Sequence, residues 1–351
     1  MLVDEINRMV DESANRLLQS SSPSMRYWVL KDILGKDRED LSVQRALEDC
    51  ERYPPRLRLL QGIGPDGTWA TPRGTGRGVH SRIRDEAYMT HMAVLGNLLK
   101  LLHFVTPPGD PRVDASLEWL LGRQAPEGYI RGPVSHGLPQ PHHNGFALYV
   151  LVGLSAEEHR RLNRVAEWLI SSQRRDGGWN MPYLQDVRYL PEYKGLGMDE
   201  FVALMKTDEK GRHGPAELQD VPSCHWTTVM VLWGLNEMVW TRRSKCVERG
   251  TDFLLGRFFQ RNPHPNFYES ERNWTAAKYP HNKCSGLAAL DVLTKAGRGP
   301  DDPRMEKPIR WLMSARYRDG LWSDSDRPHT ETGQWITLIA LWVLSQYAKR
   351  L

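Results

Sequence analysis

Apolar residues along the chain follow two helical patterns that alternate. Five segments are apolar on almost every face, and they read EAYMTHMAVLGNLLKLL, HNGFALYVLVGL, CHWTTVMVLWGL, CSGLAALDVL and QWITLIALWVLSQ. The segments between them, such as SAEEHRRLNRVAEWLISSQ, carry one apolar stripe and a charged face. A helix that is apolar all round is buried, whereas a helix with a single stripe faces a core on one side. The pattern predicts inner helices surrounded by amphipathic outer helices.

A short turn recurs at the ends of the outer helices. Four copies read RLLQGIGPDGTWATP, WLLGRQAPEGYIRGP, WLISSQRRDGGWNMP and WLMSARYRDGLWSDS, and a weaker copy, FLLGRFFQRNPHPNFY, begins at Phe253. The turn glycines, at 67, 128, 177 and 320, lie 61, 49 and 143 residues apart. With the weaker copy inside the last interval, the period is roughly 50 to 70 residues, which indicates an array of helix pairs. We expect the glycine to adopt the left-handed conformation, the acidic residue to cap the turn, and the aromatic ring to pack against the neighbouring pair.

These turns resemble a known repeat. Gln173-Arg-Arg-Asp-Gly-Gly-Trp179, Arg316-Tyr-Arg-Asp-Gly-Leu-Trp322 and Gly333-Gln-Trp335 are similar to the QW repeat of squalene and oxidosqualene cyclases. The same repeat class occurs in the β subunits of protein prenyltransferases. The resemblance covers residues 55 to 351 approximately and implies an all-α fold, an (α/α) toroid of inner and outer helices. Residues 1–50 lie outside the turn pattern, so we assign them to an N-terminal helical extension packed on the ring, and residues 51–351 to the toroid.

The chain departs from these relatives at their catalytic motifs. It lacks the Asp-x-Asp-Asp motif with which the cyclases protonate their substrate, and Asp324-Ser-Asp326 and Asp301-Asp302 are the nearest approaches. It also lacks the Asp-Asp-x-x-Asp magnesium motif of the ionising terpene synthases, and its length is about half that of a two-domain triterpene cyclase. We therefore do not expect a cyclase of standard mechanism, and toroids host unrelated chemistries.

Cysteine and histidine residues recur where the inner helices begin. Cys224 and His225 open one inner helix, and His281 and Cys284, three residues apart, would project from one side of the first turn of the next. Cysteine and neutral histidine are ligands that zinc prefers. The zinc site of prenyltransferase β subunits is similar: Cys224 matches the family's cysteine and His281 its histidine, whereas Asp220 stands four residues before Cys224 rather than two.

The resemblance implies a zinc ion at this end of the ring. Its candidate ligands are Cys224, His225, His281 and Cys284. The same residues also resemble the zinc ligands of lanthionine cyclases, which hold zinc on cysteine and histidine in a helical ring. The order of the ligands along the chain differs. The alternative reading needs no metal. Histidines near helix starts then serve as caps or packing groups, and the cysteines are buried as small apolar side chains.

Other residues are candidates for catalysis and for substrate binding. Asp85 and Glu86 open the first inner helix, where they either act as general acid and base or place negative charge where the helix dipole favours it. His329 and Asp220 are further catalytic candidates at inner-helix openings. Aromatic walls bind isoprenoids by apolar contact and stabilise carbocations, although core packing is the alternative role. The residues that we expect to bind substrate are Tyr88, His91, His143, Trp226, Trp233 and Trp335, with Trp342 further along the last inner helix.

Composition excludes several classes of partner. The net charge of +4 comes from 47 basic and 43 acidic residues spread along the chain, so we expect no nucleic-acid surface, which needs a concentrated basic stripe. No uncharged apolar run reaches about 18 residues, so we expect no membrane span. The acidic, amphipathic N-terminus is unlike a secretory signal. Four widely spaced cysteines, 50, 224, 246 and 284, indicate reduced thiols and a cytoplasmic protein.

Two classes of function follow from these observations. The first is a protein similar to prenyltransferases and terpene cyclases, which binds or acts on an isoprenoid or another apolar small molecule in the central cavity, with zinc at the mouth as the candidate cofactor. The second is a non-catalytic toroid that binds a lipid or a protein partner.

Overall fold

The computed structural model describes residues 2–70, 86–132, 139–155, 160–180, 195–196, 200, 219–263, 269–325 and 327–351, with the side chains of 86–88 excepted. Across these residues the regular structure is helical apart from isolated β-bridges, so the all-α prediction is confirmed. None of the helices in these ranges is long and apolar enough to cross a membrane.

The helices follow one another along the chain in three parts. The N-terminal part contains α1 (Leu2–Leu17), α2 (Pro23–Trp28) with a π-helical turn (Val29–Ile33), α3 (Leu41–Glu51) and α4 (Pro54–Gln61). The middle part contains α5 (Glu86–His103), α6 (Pro111–Leu121), α7 (Pro141–Leu154) and α8 (Arg160–Ser171). The remainder contains α9 (His225–Leu235), α10 (Val239–Arg242), α11 (Lys245–Leu255), α12 (Gly286–Lys295), α13 (Glu306–Ser314) and α14 (Glu331–Ala348), together with 3-10 turns at Glu271–Thr275, His281–Lys283 and Pro303–Met305.

The helices divide into an inner and an outer set, as the hydrophobic pattern predicts. Every residue of α9 is buried, and most of α7, α12 and α14 is buried as well. The outer helix α8 buries one stripe, formed by Leu162, Val165, Ala166 and Leu169. Burial on one side or on all sides therefore follows from the sequence pattern of each helix.

The inner helices and the N-terminal helices contact one another in a closed circuit. In chain order, α5 packs on α7, α7 on α9, α9 on α12 and α12 on α14. The last inner helix, α14, then contacts α1, α2 and the π-helical turn, and contacts from α2 to α3, α3 to α4 and α4 to α5 complete the circuit. The fold is thus an α/α toroid.

Two inner helices approach each other closely where α7 and α9 cross. A Cβ atom added to Gly145 would lie 2.2 Å from the carbonyl oxygen of Met230, and one added to Gly234 would lie 2.2 Å from the carbonyl oxygen of Gly145. Because neither position has room for a methyl group, glycine allows the two backbones to touch.

The recurrent turns have the geometry expected from their residues. The turn glycines at 67, 128, 177 and 320 all have positive φ. Asp66, Asp176 and Asp319 each accept a hydrogen bond from the backbone N–H two residues later. The indole N–H groups of Trp69, Trp179 and Trp322 each donate to the carbonyl ten residues earlier, at Leu59, Leu169 and Leu312. The tryptophan thus ties the turn to the outer helix that precedes it.

The N-terminal helices meet the last turn of the ring. Ser13 of α1 donates to the carbonyl of Gly320, and Arg316 pairs with Glu12 at 2.9 Å. The hydroxyl of Ser20 donates to Oε1 of Gln334 at 2.7 Å. Helix α1 thus lies beside the Gly320 turn as α11 lies beside the Gly177 turn. The boundary at residue 50 stays a prediction.

Candidate functional site

A cavity lies among the inner helices. Its volume is about 130 Å³, and five inner helices, α2, the π-helical turn and the segment before α12 supply its walls. A second space, of about 290 Å³, shares His103, Tyr279 and Trp335 with the first. We call the first space the His281 cavity; the side chains in its walls are Trp28, Asp32, Ile33, His103, Tyr149, Trp233, Tyr279, His281, Asp291, Lys295, Trp335, Leu338, Ile339 and Trp342.

Local backbone geometry brings His281 into this wall. His281 lies in a 3-10 turn that ends at Lys283, and Cys284, with φ at +55°, changes the direction of the chain. Helix α12 then begins at Gly286, capped by the hydroxyl of Ser285. The spacing of His281 and Cys284 predicts that both lie in the first turn of an inner helix, but the left-handed backbone of Cys284 separates the two residues from α12.

His281 is held by a carboxylate and by an aromatic face. Its Nε2 lies 2.7 Å from Oδ2 of Asp291, and both side chains are almost fully buried. The imidazole stacks on the indole of Trp233, with ring centres 4.3 Å apart and an angle of 7° between the planes. These two contacts fix both the plane and the rotation of the imidazole.

Asp291 is part of a buried ionic network. Nζ of Lys295 lies 3.6 Å from Oδ2 of Asp291 and 3.1 Å from Oε1 of Glu237. Burial acts to raise the pKa of Asp291, but the charge of Lys295 and the hydrogen bond with His281 outweigh it, so the pKa is lowered. For Lys295 burial acts to lower the pKa, and Asp291 and Glu237 reverse that effect and raise it. At neutral pH the network therefore contains an ionised carboxylate and a charged ammonium group.

Aromatic side chains form much of the cavity wall. Tyr149 stacks on Trp233 at 4.1 Å between ring centres, and Trp335 lies 4.3 Å from His103 and 5.7 Å from Tyr279. The Tyr279 hydroxyl makes a hydrogen bond with Nδ1 of His103. Burial lowers the pKa of His103 to about 3, so this imidazole is neutral. A wall formed largely by aromatic faces, with a few polar groups, is typical of sites for apolar ligands.

The N-terminal segment contributes a further acid. Asp32 belongs to the π-helical turn and lines the His281 cavity beside Trp28, whose indole N–H donates to the carbonyl of His103 at 2.9 Å. Burial raises the pKa of Asp32 although Lys31, Lys295 and Lys349 oppose the shift. π-helical turns are rare and often occur at functional sites.

The predicted zinc ligands have different partners. The thiol of Cys224 accepts a hydrogen bond from Nδ2 of Asn262 at 3.3 Å. The ring of His225 packs among Phe253, Trp226 and Trp274, and burial lowers its pKa to about 3. Burial raises the pKa of the Cys284 thiol, and the nearby Cys224 raises it further.

These contacts test how well the predicted ligands fit a metal ion. His281 uses Nε2 to contact Asp291, whereas both ring nitrogens of His225 are buried without a hydrogen-bond partner among the described residues. Within the described part of the chain, no three His, Cys, Asp or Glu residues are arranged to hold a metal ion. Because these residues offer no assembled ligand set, the zinc hypothesis stays a prediction and no chemical step is derived from it.

The other candidate residues are distributed over the molecule. Asp85 lies outside the described residues, as do the side chains of Glu86 and Tyr88. His329 and Asp220 are exposed, where they pair with Asp319 and Arg175, and neither is among the described residues that line the His281 cavity.

Three of the predicted wall residues lie away from the His281 cavity. The rings of His91 and His143 stack at 6.1 Å, and burial lowers their pKa values to about 3 and about 4. Trp226 packs against Trp274 at 4.8 Å. Trp233, Trp335 and Trp342 do line the cavity, together with His281.

Sequence reasoning missed most of the polar residues in this wall. Asp291 and Lys295 lie four residues apart in an otherwise apolar helix, a spacing that places two side chains on one face. That pair was a usable signal, because a charged residue in an inner helix needs a partner. Asp32 and Trp28 were missed because the N-terminal segment has no recognisable turn, and nothing in the sequence distinguishes His103 or Tyr149 from core residues.

No family model and no curated protein sequence matches the chain. Among solved structures, a protein from Actinoplanes is similar at 13% identity, with 99% of each chain covered and a TM-score of 0.45. The type II terpene cyclase MstE from Scytonema, in complex with geranylgeranyl dihydroxybenzoate, is similar at 15% identity over 87% of this chain and 99% of that one, with a TM-score of 0.29. The apo form of MstE gives 14% identity over 86% and 98%, and a TM-score of 0.30. These likenesses are too distant to bear on activity, and the toroid rests on its own contacts.

Proposed function

We propose that the chain binds an isoprenoid or a similar apolar small molecule in the His281 cavity and acts on it there, as prenyltransferases and terpene cyclases do in their toroids. The observation that carries the proposal is the wall itself. Six of its side chains are tryptophan or tyrosine: Trp28, Tyr149, Trp233, Tyr279, Trp335 and Trp342. Such a wall favours a ligand with a large apolar surface and excludes water from it.

The volume of the cavity is compatible with a ligand of modest size. An apolar cavity of about 150 Å³ binds a benzene-sized molecule, and the His281 cavity has about 130 Å³ next to a space of about 290 Å³. The two spaces share three side chains, so we expect a linear ligand to extend from one to the other. Acyclic isoprenoids have this shape.

Polar groups at one side of the cavity support a chemical role. His281, Asp291 and Lys295 supply an imidazole, a carboxylate and an ammonium group within one cluster, joined by a hydrogen bond and an ion pair. Groups of this kind hold or transfer protons when a substrate is placed against them.

A direct test is equilibrium dialysis of the purified protein against an acyclic ten-carbon isoprenoid hydrocarbon. We expect saturable binding that Ile339→Trp abolishes, because the larger side chain fills the cavity. Leu57→Trp, which adds the same side chain at an exposed position of α4, serves as the control and should bind as the unmodified chain does. Equal binding by both variants, or no binding by the unmodified chain, would contradict the proposal.

The zinc part of the proposal needs a separate measurement. Metal analysis of the purified chain, of Cys224→Ala and of His281→Ala tests it: stoichiometric zinc that both variants lose would support the prediction. A metal-free protein would reject zinc and leave the proposal of an apolar ligand untouched.

The alternative function is a toroid that binds a protein partner and has no catalytic role. The observation that favours it is the exposure of two large apolar side chains on α10, Val239 at 78% and Trp240 at 44%. Binding of the hydrocarbon at the cavity would argue against this alternative as the main role of the chain.

A further inference from the structure

The second space, beside the His281 cavity, has both apolar and charged side chains in its wall. Its volume is about 290 Å³. Four of its apolar side chains are buried, and they are Leu99, Phe104, Phe146 and Trp335. Three exposed residues with charged side chains also line it, and we call them the charged rim: Lys100, Lys283 and Glu331. A space divided in this way fits a molecule that has an apolar part and a charged part.

Three separate elements supply the charged rim. Lys100 lies in the last turn of α5, Lys283 ends the 3-10 turn before α12, and Glu331 is the first residue of α14. None of these three side chains forms an ion pair or a hydrogen bond with another described residue. Two ammonium groups and one carboxylate leave one positive charge of the rim unbalanced. Like charges that line one space repel each other, and an anion between the two lysines would relieve that repulsion.

The wall that the second space shares with the His281 cavity is aromatic and neutral. Trp335 stacks on Tyr279, with ring centres 5.7 Å apart and 15° between the planes, and lies 4.3 Å from His103. The hydroxyl of Tyr279 and Nδ1 of His103 are hydrogen-bonded to each other. Burial lowers the pKa of His103 to about 3 and raises the pKa of Tyr279, so neither side chain is charged at neutral pH. An apolar chain can therefore lie against these rings while a charged group stays at the rim.

We propose that the substrate class of this site is an apolar carboxylic acid. Its carboxylate binds Lys100 and Lys283 at the charged rim, and its hydrocarbon chain extends past the shared rings into the His281 cavity. This inference rests on the proposed function, because it assumes that the chain of the ligand occupies that cavity.

The charge and the exposure of the rim both favour a carboxylate. Its single negative charge balances the one unbalanced positive charge, whereas Glu331 repels a group that carries several negative charges. Because the rim residues are exposed, the carboxylate keeps part of its hydration and avoids the large cost of burying an ion.

The test compares geranic acid, a ten-carbon isoprenoid acid that is ionised at neutral pH, with the acyclic ten-carbon hydrocarbon. Both are measured by equilibrium dialysis with the unmodified chain and with Lys100→Gln, Lys283→Gln and Glu331→Gln. An exposed charge pair changes affinity by about two- to fivefold. We expect each lysine variant to weaken geranic acid by such a factor and Glu331→Gln to strengthen it. All three variants should leave the hydrocarbon unchanged.

The matched control is Lys245→Gln at the start of α11. Lys245 is exposed as the rim lysines are, and it is not among the described residues that line either space. We expect this variant to bind geranic acid as the unmodified chain does. A loss as large as that of the rim variants would show an effect of overall charge, and it would overturn the inference.

The outcomes separate this inference from the proposal beneath it. If the hydrocarbon does not bind the unmodified chain, the proposed function fails, and the inference fails with it. If the hydrocarbon binds and both rim lysine variants leave geranic acid unchanged, the inference alone is overturned. Tighter binding of geranyl diphosphate than of geranic acid would overturn the assignment to a singly charged carboxylate.

A second measurement uses the unmodified chain, so it remains decisive if a rim variant does not fold. Salt screens attraction between exposed charges, and the screening length falls from about 10 Å at 0.1 M to about 3 Å at 1 M. We expect geranic acid to bind more weakly as sodium chloride is raised over this range, while the hydrocarbon does not. An affinity for geranic acid that does not fall with salt would overturn the inference.

Discussion

Asp291 is a carboxylate in the middle of the apolar helix α12, and it is 4% exposed. Such a residue is stable there only when each of its oxygens has partners, because an isolated buried charge is costly. Lys295 and His281 are those partners. The same contacts that make Asp291 tolerable also orient His281, so stability and the geometry of the candidate site depend on one side chain.

Removing the charge of Asp291 should therefore destabilise the protein. Asp291→Asn leaves Lys295 with Glu237 as its remaining partner, and breaking a buried pair costs about 3–5 kcal/mol. The Lys295 side chain is 24% exposed, so we expect a loss at the lower end of this range. The loss in the free energy of unfolding, measured by urea denaturation, should be about 3 kcal/mol.

The matched control is Glu306→Gln on α13. Glu306 and Arg310 form a pair of the same spacing, with an N–O distance of 2.9 Å, on an exposed face. Exposed pairs of this spacing contribute about 0.3–0.5 kcal/mol, so we expect a change of that size. Equal losses in the two variants would show that burial of the Asp291 network does not matter to stability.

Among the elements, the recurrent turn joins each outer helix to the next one. At Gly177 the backbone has φ of +94°, and an added Cβ would lie 2.7 Å from the carbonyl oxygen of Arg249 in the next outer helix, α11. Gln173 donates both to the carbonyl of Gly177 and to that of Cys246 at the start of α11. The turn is therefore a packing element as well as a chain reversal.

A pair of glycine substitutions separates these two roles. Gly297 has the same φ of +94° but no atom within 4 Å of its added Cβ. A left-handed alanine costs about 1–2 kcal/mol, so we expect Gly297→Ala to lose about that amount of unfolding free energy. Gly177→Ala should lose at least about 2 kcal/mol more, because overpacking against backbone adds to the strain. Similar losses in the two variants would mean that contact with α11 is unimportant.

The sequence specifies the elements well because their signals are local. Helix burial follows from the spacing of apolar residues, and the turn follows from glycine, an acidic residue and an aromatic ring at fixed offsets. The local signal fails at Cys284, where a left-handed non-glycine residue ends a 3-10 turn just before α12. A positive φ at a non-glycine residue has no signature in the pattern of apolar residues along one segment.

At the scale of the whole molecule, several buried histidines make stability depend on pH. Burial lowers the pKa of His91, His103 and His225 to about 3 and that of His143 to about 4. In the unfolded chain a histidine has a pKa of about 6.5. Between these values the unfolded state binds more protons than the folded state, so stability is full above pH 6.5 and falls as the pH decreases towards 4.

The measurement is the free energy of unfolding between pH 7 and pH 5, where ordinary carboxylates remain ionised. Each such histidine adds a slope of up to about 1.4 kcal/mol per pH unit. We expect the protein to lose stability steadily over this range, and His225→Phe to reduce the slope by about one such contribution. A stability that is constant from pH 7 to pH 5 would contradict the burial of these rings.

The ring as a whole could be predicted from the sequence, but only some of the residues in the cavity wall could. Trp233, Trp335, Trp342 and His281 were recognised because each lies in or next to an apolar inner helix. Asp32 was not, since the segment that brings it to the cavity lacks the recurrent turn and reaches the ring through contacts of α2 and the π-helical turn with α14. Residues distant in sequence meet in a cavity through the closure of the ring, which single-segment patterns do not encode.

The central claim is that the His281 cavity is where the chain holds an apolar ligand. Photolabelling with a diazirine analogue of an acyclic isoprenoid, followed by mass spectrometry of the peptides, tests it most directly. The account predicts label on α9 at Trp233 and on α14 between Trp335 and Trp342, with an excess of unlabelled ligand suppressing it. Label on the exposed Val239 and Trp240 of α10 that competitor suppresses, with none on α9 or α14, would contradict the account.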